Sequence, residues 1–258
     1  MERLSANTRP AGITAAALRT WGMIFLAAGV AGRGLIQNVL LGIPDMTAAD
    51  MLQAMNASGD VMGMVTLSLV LQAMESCAIP IFAFLLVEGF QHTSDYKKYL
   101  TRVIGVALIS ELLYNMVMDG NVLAMGSRNP VWGAVLALMT LGLFRYVDQN
   151  MDGRRILKIL MGLAGILWAQ MLKVDYGMFF VILVLTLWIM RGKPQFRLFV
   201  GMGVAAACTA ISMFYLASTM GFMAVHFYNG EKGETSPVVA YMAYPAILLA
   251  VAAAGMIL

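Results

Sequence analysis

Three ionisable side chains stand inside long apolar runs of this sequence: Arg33, Glu75 and Glu111, with Gln37 and Asn115 near them. A charge placed where lipid should be is costly and marks a functional site by default. Glu111 and Asn115 are four residues apart, so they share one face of a helix, and Arg33 and Gln37 do the same on another. Two readings stay open. Arg33 bridges one or both glutamates as a structural ion pair that fixes helix packing, or these faces line a substrate cavity with perturbed carboxylates.

A second group follows the second apolar run: Glu88, His92, Asp95, Lys97, Lys98, Tyr99 and Arg102. Glu88 and His92 are again four apart. A carboxylate so placed can orient an imidazole and raise its basicity, which suits general-base work. A histidine at a helix end can equally do no more than cap the last carbonyls. The neighbouring cations can hold a phosphorylated donor such as coenzyme A, or can simply mark a cytoplasmic loop. A third group, Asn129, Asp175, Tyr176, His226, Asn229, Glu231 and Glu234, reads as polar loops on the other side.

The elements that must position these residues follow from composition. Of 258 residues, 60% are hydrophobic and 12% charged, against about 45–50% and about 25% in soluble domains. A soluble globule has too little interior to hide that surface. The net charge of +3 is dispersed, which argues against nucleic acid. Cys77 and Cys208 lie in apolar runs and offer neither a disulfide framework nor a cysteine zinc site. No metal is expected, and the 23 methionines are scattered as packing filler rather than clustered for copper.

The sequence therefore predicts an all-α, polytopic integral membrane helix bundle of about eight transmembrane helices, with N- and C-termini cytoplasmic. Spans of the required length fall near 20–42, 61–90, 102–118, 130–147, 156–173, 176–190, 198–228 and 238–258. Residues 1–19 form a cytoplasmic N-terminal segment, with no cleavage site behind it, and 20–258 a single transmembrane domain. The run 61–90 is too long for one straight helix and contains Pro80, so a tilt or break belongs there. Thr47 and Asp50 read as the cap of a short helix on the outer side. With this alternation thirteen of the seventeen Lys and Arg fall inside, among them Arg19, Lys97, Lys98, Arg102 and Arg197. Arg128, Lys173 and Lys232 fall outside, as the positive-inside rule asks of an inner-membrane protein.

The run Ile79-Pro80-Ile81-Phe82-Ala83-Phe84-Leu85-Leu86-Val87-Glu88-Gly89-Phe90, followed by His92-Thr93 and Lys98-Tyr99, resembles the signature of the TraX family. Ile109-Ser110-Glu111, Arg128-Asn129, Asp175-Tyr176-Gly177, Asn229-Gly230-Glu231-Lys232-Gly233 and Tyr244-Pro245 match in family order, so the resemblance covers nearly the whole chain. The family is named for a conjugation-associated bacterial membrane protein that N-acetylates pilin, and it is similar to larger multi-span acyltransferases. The resemblance implies a multi-pass protein of the bacterial plasma membrane. The chain departs from the pattern in four places. Gly29-Val30 stand for an Asp-His pair, Ile247 for a late histidine, Ser76 for an arginine, and Asn115 for an acidic residue.

The first functional expectation is acyl transfer. A cytoplasmic acyl-CoA (acetyl-CoA) would be held near Lys97, Lys98 and Arg102. His92, Glu88 and Glu111 are the candidate catalytic residues. Arg33, Glu75, Asn115, Asn129 and Asp175 are candidates for contacting an acceptor amine or hydroxyl on a peptide, glycan or lipid. The alternative is a degenerate family member that serves as a membrane binding or assembly partner, with a protein partner or a second copy of itself. A transporter is the third reading.

Overall fold

The computed structural model describes residues 12–43, 46–124, 126–151 and 154–258. Residues 1–11, and with them most of the expected N-terminal segment, lie outside the described residues. Helix α1 (Ala15–Ala31) begins where the Thr14 hydroxyl accepts from the Ala17 amide, and it passes into a π-helical segment, Gly32–Leu40. Thr47 and Asp50 cap α2 (Ala48–Ala57) reciprocally, and that bonding draws the Asp50 carboxyl below its usual range. Then come α3 (Gly59–Ser76), α4 (Ala78–His92), α5 (Tyr96–Asp119), α6 (Val131–Asn150) and α7 (Arg154–Met171). The chain closes with α8 (Gly177–Ile189), α9 (Pro194–Ala207), α10 (Phe214–His226) and α11 (Pro237–Ile257).

Among the described residues, five stretches are long and apolar enough to cross a membrane: Ala15–Leu40, Gly59–His92, Tyr96–Asp119, Val131–Asn150 and Val238–Ile257. Large apolar side chains cover the outside of the bundle, as on α7, where Ile156, Ile159, Leu163 and Leu167 are exposed. The break expected in 61–90 falls at Cys77. Pro80 sits in the first turn of α4, where its missing N–H leaves no hydrogen bond unmade.

The expectation of one span over 198–228 is not met. Helix α9 stops at Ala207, Cys208–Ala210 form a single 3₁₀ turn, and α10 starts at Phe214. A side chain at Gly201 would meet the Phe222 ring, so the two helices fold back on each other about that turn. At 1.5 Å per residue each is about 20 Å long, short of the ~30 Å hydrocarbon core. Helix α10 runs alongside α3 and α4 in their own direction. The Cys77 thiol donates to the Ala217 carbonyl, Gly221 lies against the Cys77 backbone, and Phe84 meets Tyr228 edge-on at 5.2 Å.

This hairpin changes the parity of everything after it. Residues 227–232 pair with the start of α1: Ile13 N–H donates to Phe227 O at 2.7 Å and Ala15 N–H to Glu231 O at 2.9 Å. Asn229, Glu231, Lys232 and Glu234 therefore lie on the face of the bundle that carries Lys97, Lys98 and Arg102, not on the opposite one. Helix α11 starts on that basic face, with Tyr241 beside Arg102, and ends next to Val39 at Gly255. The two described ends of the chain are thus on opposite faces, not on one. The five long apolar stretches are α1 with the π segment, α3 with α4, α5, α6 and α11, α8 is a shorter apolar helix, and α9 and α10 fold back on each other. Helices long and apolar enough to span thus number five among the described residues, where the sequence predicts about eight. Moving Lys232 to the basic face sharpens the charge asymmetry, because Arg128 and Lys173 are then the described loop cations opposite.

The main core lies between α4, α6 and α8, where Phe90 packs edge-on against Tyr96 and Trp188. A smaller one joins α1, α5 and α11 around Tyr114, Val117, Tyr244 and Leu248.

Candidate functional site

Arg33 sits at the start of the π-helical segment, and its guanidinium holds two carboxylates. Nη1 donates to Asp175 Oδ2 at 2.7 Å and Nη2 to Glu75 Oε1 at 2.9 Å. Gln37, on the same face, donates to Ser68 of α3 at 2.9 Å. The shared face read from their spacing thus meets α3. Each carboxylate also accepts from a phenol: Tyr176 OH to Glu75 Oε2 at 3.2 Å, and Tyr114 OH to Asp175 Oδ2 at 2.9 Å. Glu75 is 1% exposed. The space it fills is opened by Gly29, because any side chain at that position would overlap the Glu75 carboxylate. Where the resemblance leads one to expect an Asp-His pair, the missing side chain is replaced by a carboxylate arriving from the neighbouring helix.

Asp175 reaches this cluster from a loop that the sequence placed outside. Residues 128 and 174 form a parallel bridge, with Arg128 N–H donating to Lys173 O and Asp175 N–H to Arg128 O, both at 2.9 Å. Lys173 and Tyr176 adopt left-handed backbone conformations, with φ of 52° and 55°. Non-glycine residues hold these only when their surroundings fix them. Here the bridge and the phenol–carboxylate bond do so.

Glu111 does not join Arg33. Its Oε1 accepts from Arg128 at 2.9 Å. Its Oε2 accepts from the Asn129 amide side chain at 2.6 Å, the Asn129 N–H at 3.2 Å and the Trp132 indole at 3.1 Å. The Asn129 side chain also donates to Ala107 O, so the cluster ties the start of α6 to α5. Asn115 shares this side of α5 but points to the following turn, donating to Val122 O at 3.2 Å.

At the basic face, Glu88 is taken by Arg197, whose Nη1 donates to it at 2.7 Å while the guanidinium lies 4.7 Å from the Phe84 ring. The spacing of Glu88 and His92 places them side by side, but at 3.9 Å, and the His92 Nδ1 lies 2.9 Å from the Glu88 carbonyl. The His92 side chain is 76% exposed. Lys97, Lys98 and Arg102 are exposed as well.

A cavity of about 340 Å³ runs from this face, between α1, α5 and α11, to Glu75 and Tyr176. Arg19, Arg102 and Lys232 stand at its mouth, Phe82, Leu86, Val103 and Phe180 line the shaft, and Tyr244 borders it. Of the sequence candidates, Glu75 and Arg102 line this cavity. His92, Glu88, Glu111, Asn129, Lys97 and Lys98 do not, and Arg33 and Asp175 back its floor through Glu75. Sequence reasoning did not single out Tyr114, Arg19, or the pairing roles of Arg128 and Arg197. A tyrosine within an apolar run gives no signal apart from packing. The arginines were absorbed by the charge rule.

The family described as TraX protein matches residues 30–253, and the chain belongs to this family. Neither the curated proteins nor the solved structures compared with it give a match.

Proposed function

We propose that this TraX-family membrane protein transfers an acyl group, of the acetyl type, from a cytoplasmic acyl-CoA to an amine or hydroxyl acceptor. The observation that carries this reading is the cavity that leads from a cationic mouth, along an apolar shaft, to a buried carboxylate. The basic face is the cytoplasmic one by the positive-inside rule, in a multi-pass protein of the bacterial plasma membrane. The donor's phosphates stay at the mouth, and its slim arm carries the thioester towards Glu75 and Tyr176.

With both carboxylates ionised, Arg33, Glu75 and Asp175 carry one net negative charge. An acceptor ammonium is therefore drawn to them. It must lose a proton before it can attack, and Glu75 is placed to take it, since each oxygen has one donor partner and a free acceptor site. The nitrogen lone pair then forms the C–N bond, the C–S bond breaks, and the proton shed by the attacking nitrogen passes to the leaving thiolate. Arg33 and Tyr176 hold Glu75 in position. The Tyr244 hydroxyl, bordering the cavity, is available to the developing oxyanion. His92, set in solvent off the cavity, is assigned the lesser role of a helix-end residue.

The test is thiol release from acetyl-CoA by the reconstituted protein in vesicles, with peptide amines, glycans and aminolipids offered in turn. Acceptor-dependent release supports transfer. Folded protein that binds acetyl-CoA but gives no release with any acceptor class supports the second reading, a non-catalytic membrane partner. The replacement of the family's Asp-His pair by Gly29 and Val30 favours that one.

A further inference from the structure

We infer that Arg19, Arg102 and Lys232 form a three-cation phosphate clamp at the cavity mouth. This deepens the donor reading above, and rests on it for the identity of the natural ligand, but its geometry stands on its own. The three come from elements far apart in sequence: Arg19 from the second turn of α1, Arg102 from α5 and Lys232 from the 227–236 loop. The fold brings them to one opening. Backbone bonds fix the loop in place, as Ala15 N–H donates to Glu231 O at 2.9 Å and Ala16 N–H to Lys232 O at 3.0 Å. Gly233 holds a left-handed φ of 68° against Thr14, where a side chain would collide with the threonine. A glycine is required there for Lys232 to reach the mouth.

The surrounding cations show why these three differ. Arg197 is paired with Glu88, Lys158 with Asp148, Arg145 with the Phe90 carbonyl and ring, and Arg191 with the Trp188 carbonyl and ring. Among the described residues, no carboxylate forms a salt bridge with Arg19, Arg102 or Lys232. Arg102 lies 6.0 Å from the Tyr241 ring centre, itself part of the cavity wall. Unpaired positive charges converging on the wide end of an apolar shaft call for an anion attached to a slim, non-ionic chain. A phosphate on a pantetheine arm and a phosphate on a single acyl chain share this chemistry. Lys97 and Lys98 serve as the internal control, since they obey the same charge rule on the same face but do not line the cavity.

The experiment is equilibrium binding to the full chain in nanodiscs, with coenzyme A and lysophosphatidate as the two probes. Variants are R19Q, R102Q, K232Q and the paired K97Q/K98Q, with R102K as the charge-retaining control. Each single loss of a clamp cation is expected to weaken binding about tenfold, the scale of one charge-assisted bond. R102K should recover most of it, K97Q/K98Q should stay within about twofold, and added salt should weaken binding by screening. Thermal melts confirm that each variant is folded. If lysophosphatidate binds in this pattern and coenzyme A does not bind, the clamp stands and the acyl-CoA donor falls. If coenzyme A binds but K97Q/K98Q costs as much as the mouth variants, the clamp falls and the donor stands. Binding of neither probe to folded protein overturns the clamp.

Discussion

Glu75 and Glu111 look alike in sequence, each a lone carboxylate in an apolar run, yet they sit in opposite circumstances. Glu111 accepts from Arg128, Trp132 and two donors of Asn129, so its Oε2 alone takes three bonds. Its Oε1 is held by Arg128, and it has no access to the cavity that Glu75 lines. Glu75 shares one guanidinium with Asp175, takes one phenol, and forms the floor of the cavity. Even the guanidinium is incompletely used, since the Arg33 Nε is buried without a partner among the described residues. A buried charge whose hydrogen-bonding capacity is spent on its own fold is structural. One left short of partners beside an opening is placed to meet a ligand.

The largest effect that separates the two is on stability. Glu111→Ala strands the Asn129 backbone N–H and the Trp132 indole as unpaired donors, while the Asn129 side chain keeps Ala107 O and Arg128, 35% exposed, can turn to water. At about 1–3 kcal/mol for each stranded group, a loss of about 2–4 kcal/mol is expected, read from unfolding in mixed SDS micelles. A variant as stable as the parent would remove the structural role.

Pairing is the next distinction. Double-mutant cycles should give coupling of about 0.5–3 kcal/mol for Arg33 with Glu75 and for Arg128 with Glu111, but additivity within about 0.5 kcal/mol for Arg33 with Glu111. Coupling of that last pair would mean that the two clusters are one. Next in size is a steric probe of the shaft. Ala134 lines the cavity, and Ala134→Phe should cut acetyl-CoA binding by about tenfold while the melting temperature holds, since removing contact along a buried arm costs about 1.4 kcal/mol per decade. Unchanged binding would place the donor elsewhere. The smallest effect belongs to His92→Ala, expected to leave turnover within about twofold and stability within about 0.5 kcal/mol, as for surface sites away from special features. Abolished transfer would restore His92 as the base.

The sequence showed much of this, and its failures have physical causes. Arg33, Glu75 and Glu111 were legible because hydrocarbon makes any charge conspicuous. The partner of each was not, because pairing depends on which helices are neighbours: α1 lies along α3, whereas Glu111 on α5 faces the loop that enters α6. The Glu88–His92 spacing was right, but Arg197, 109 positions away, holds the carboxylate more closely. The break between α9 and α10 was invisible to hydropathy, because 208–213 contains no charge and no proline, only Thr209 and Ser212. Missing that turn reversed the side assigned to 229–236 and to the end of α11. With it went the recognition that Lys232 and Arg102 share one opening.

The most direct test sets Glu75→Gln against Glu111→Gln, with turnover per folded molecule and unfolding midpoint measured on the same preparations. Glu75→Gln keeps the shape and loses the base, so transfer should fall by about 10²-fold or more, the scale of general-base catalysis, with the midpoint close to the parent's. Glu111→Gln should lower the midpoint and leave turnover per folded molecule within about threefold. Full transfer by Glu75→Gln, or its loss in a stable Glu111→Gln, would contradict the assignment of the working carboxylate.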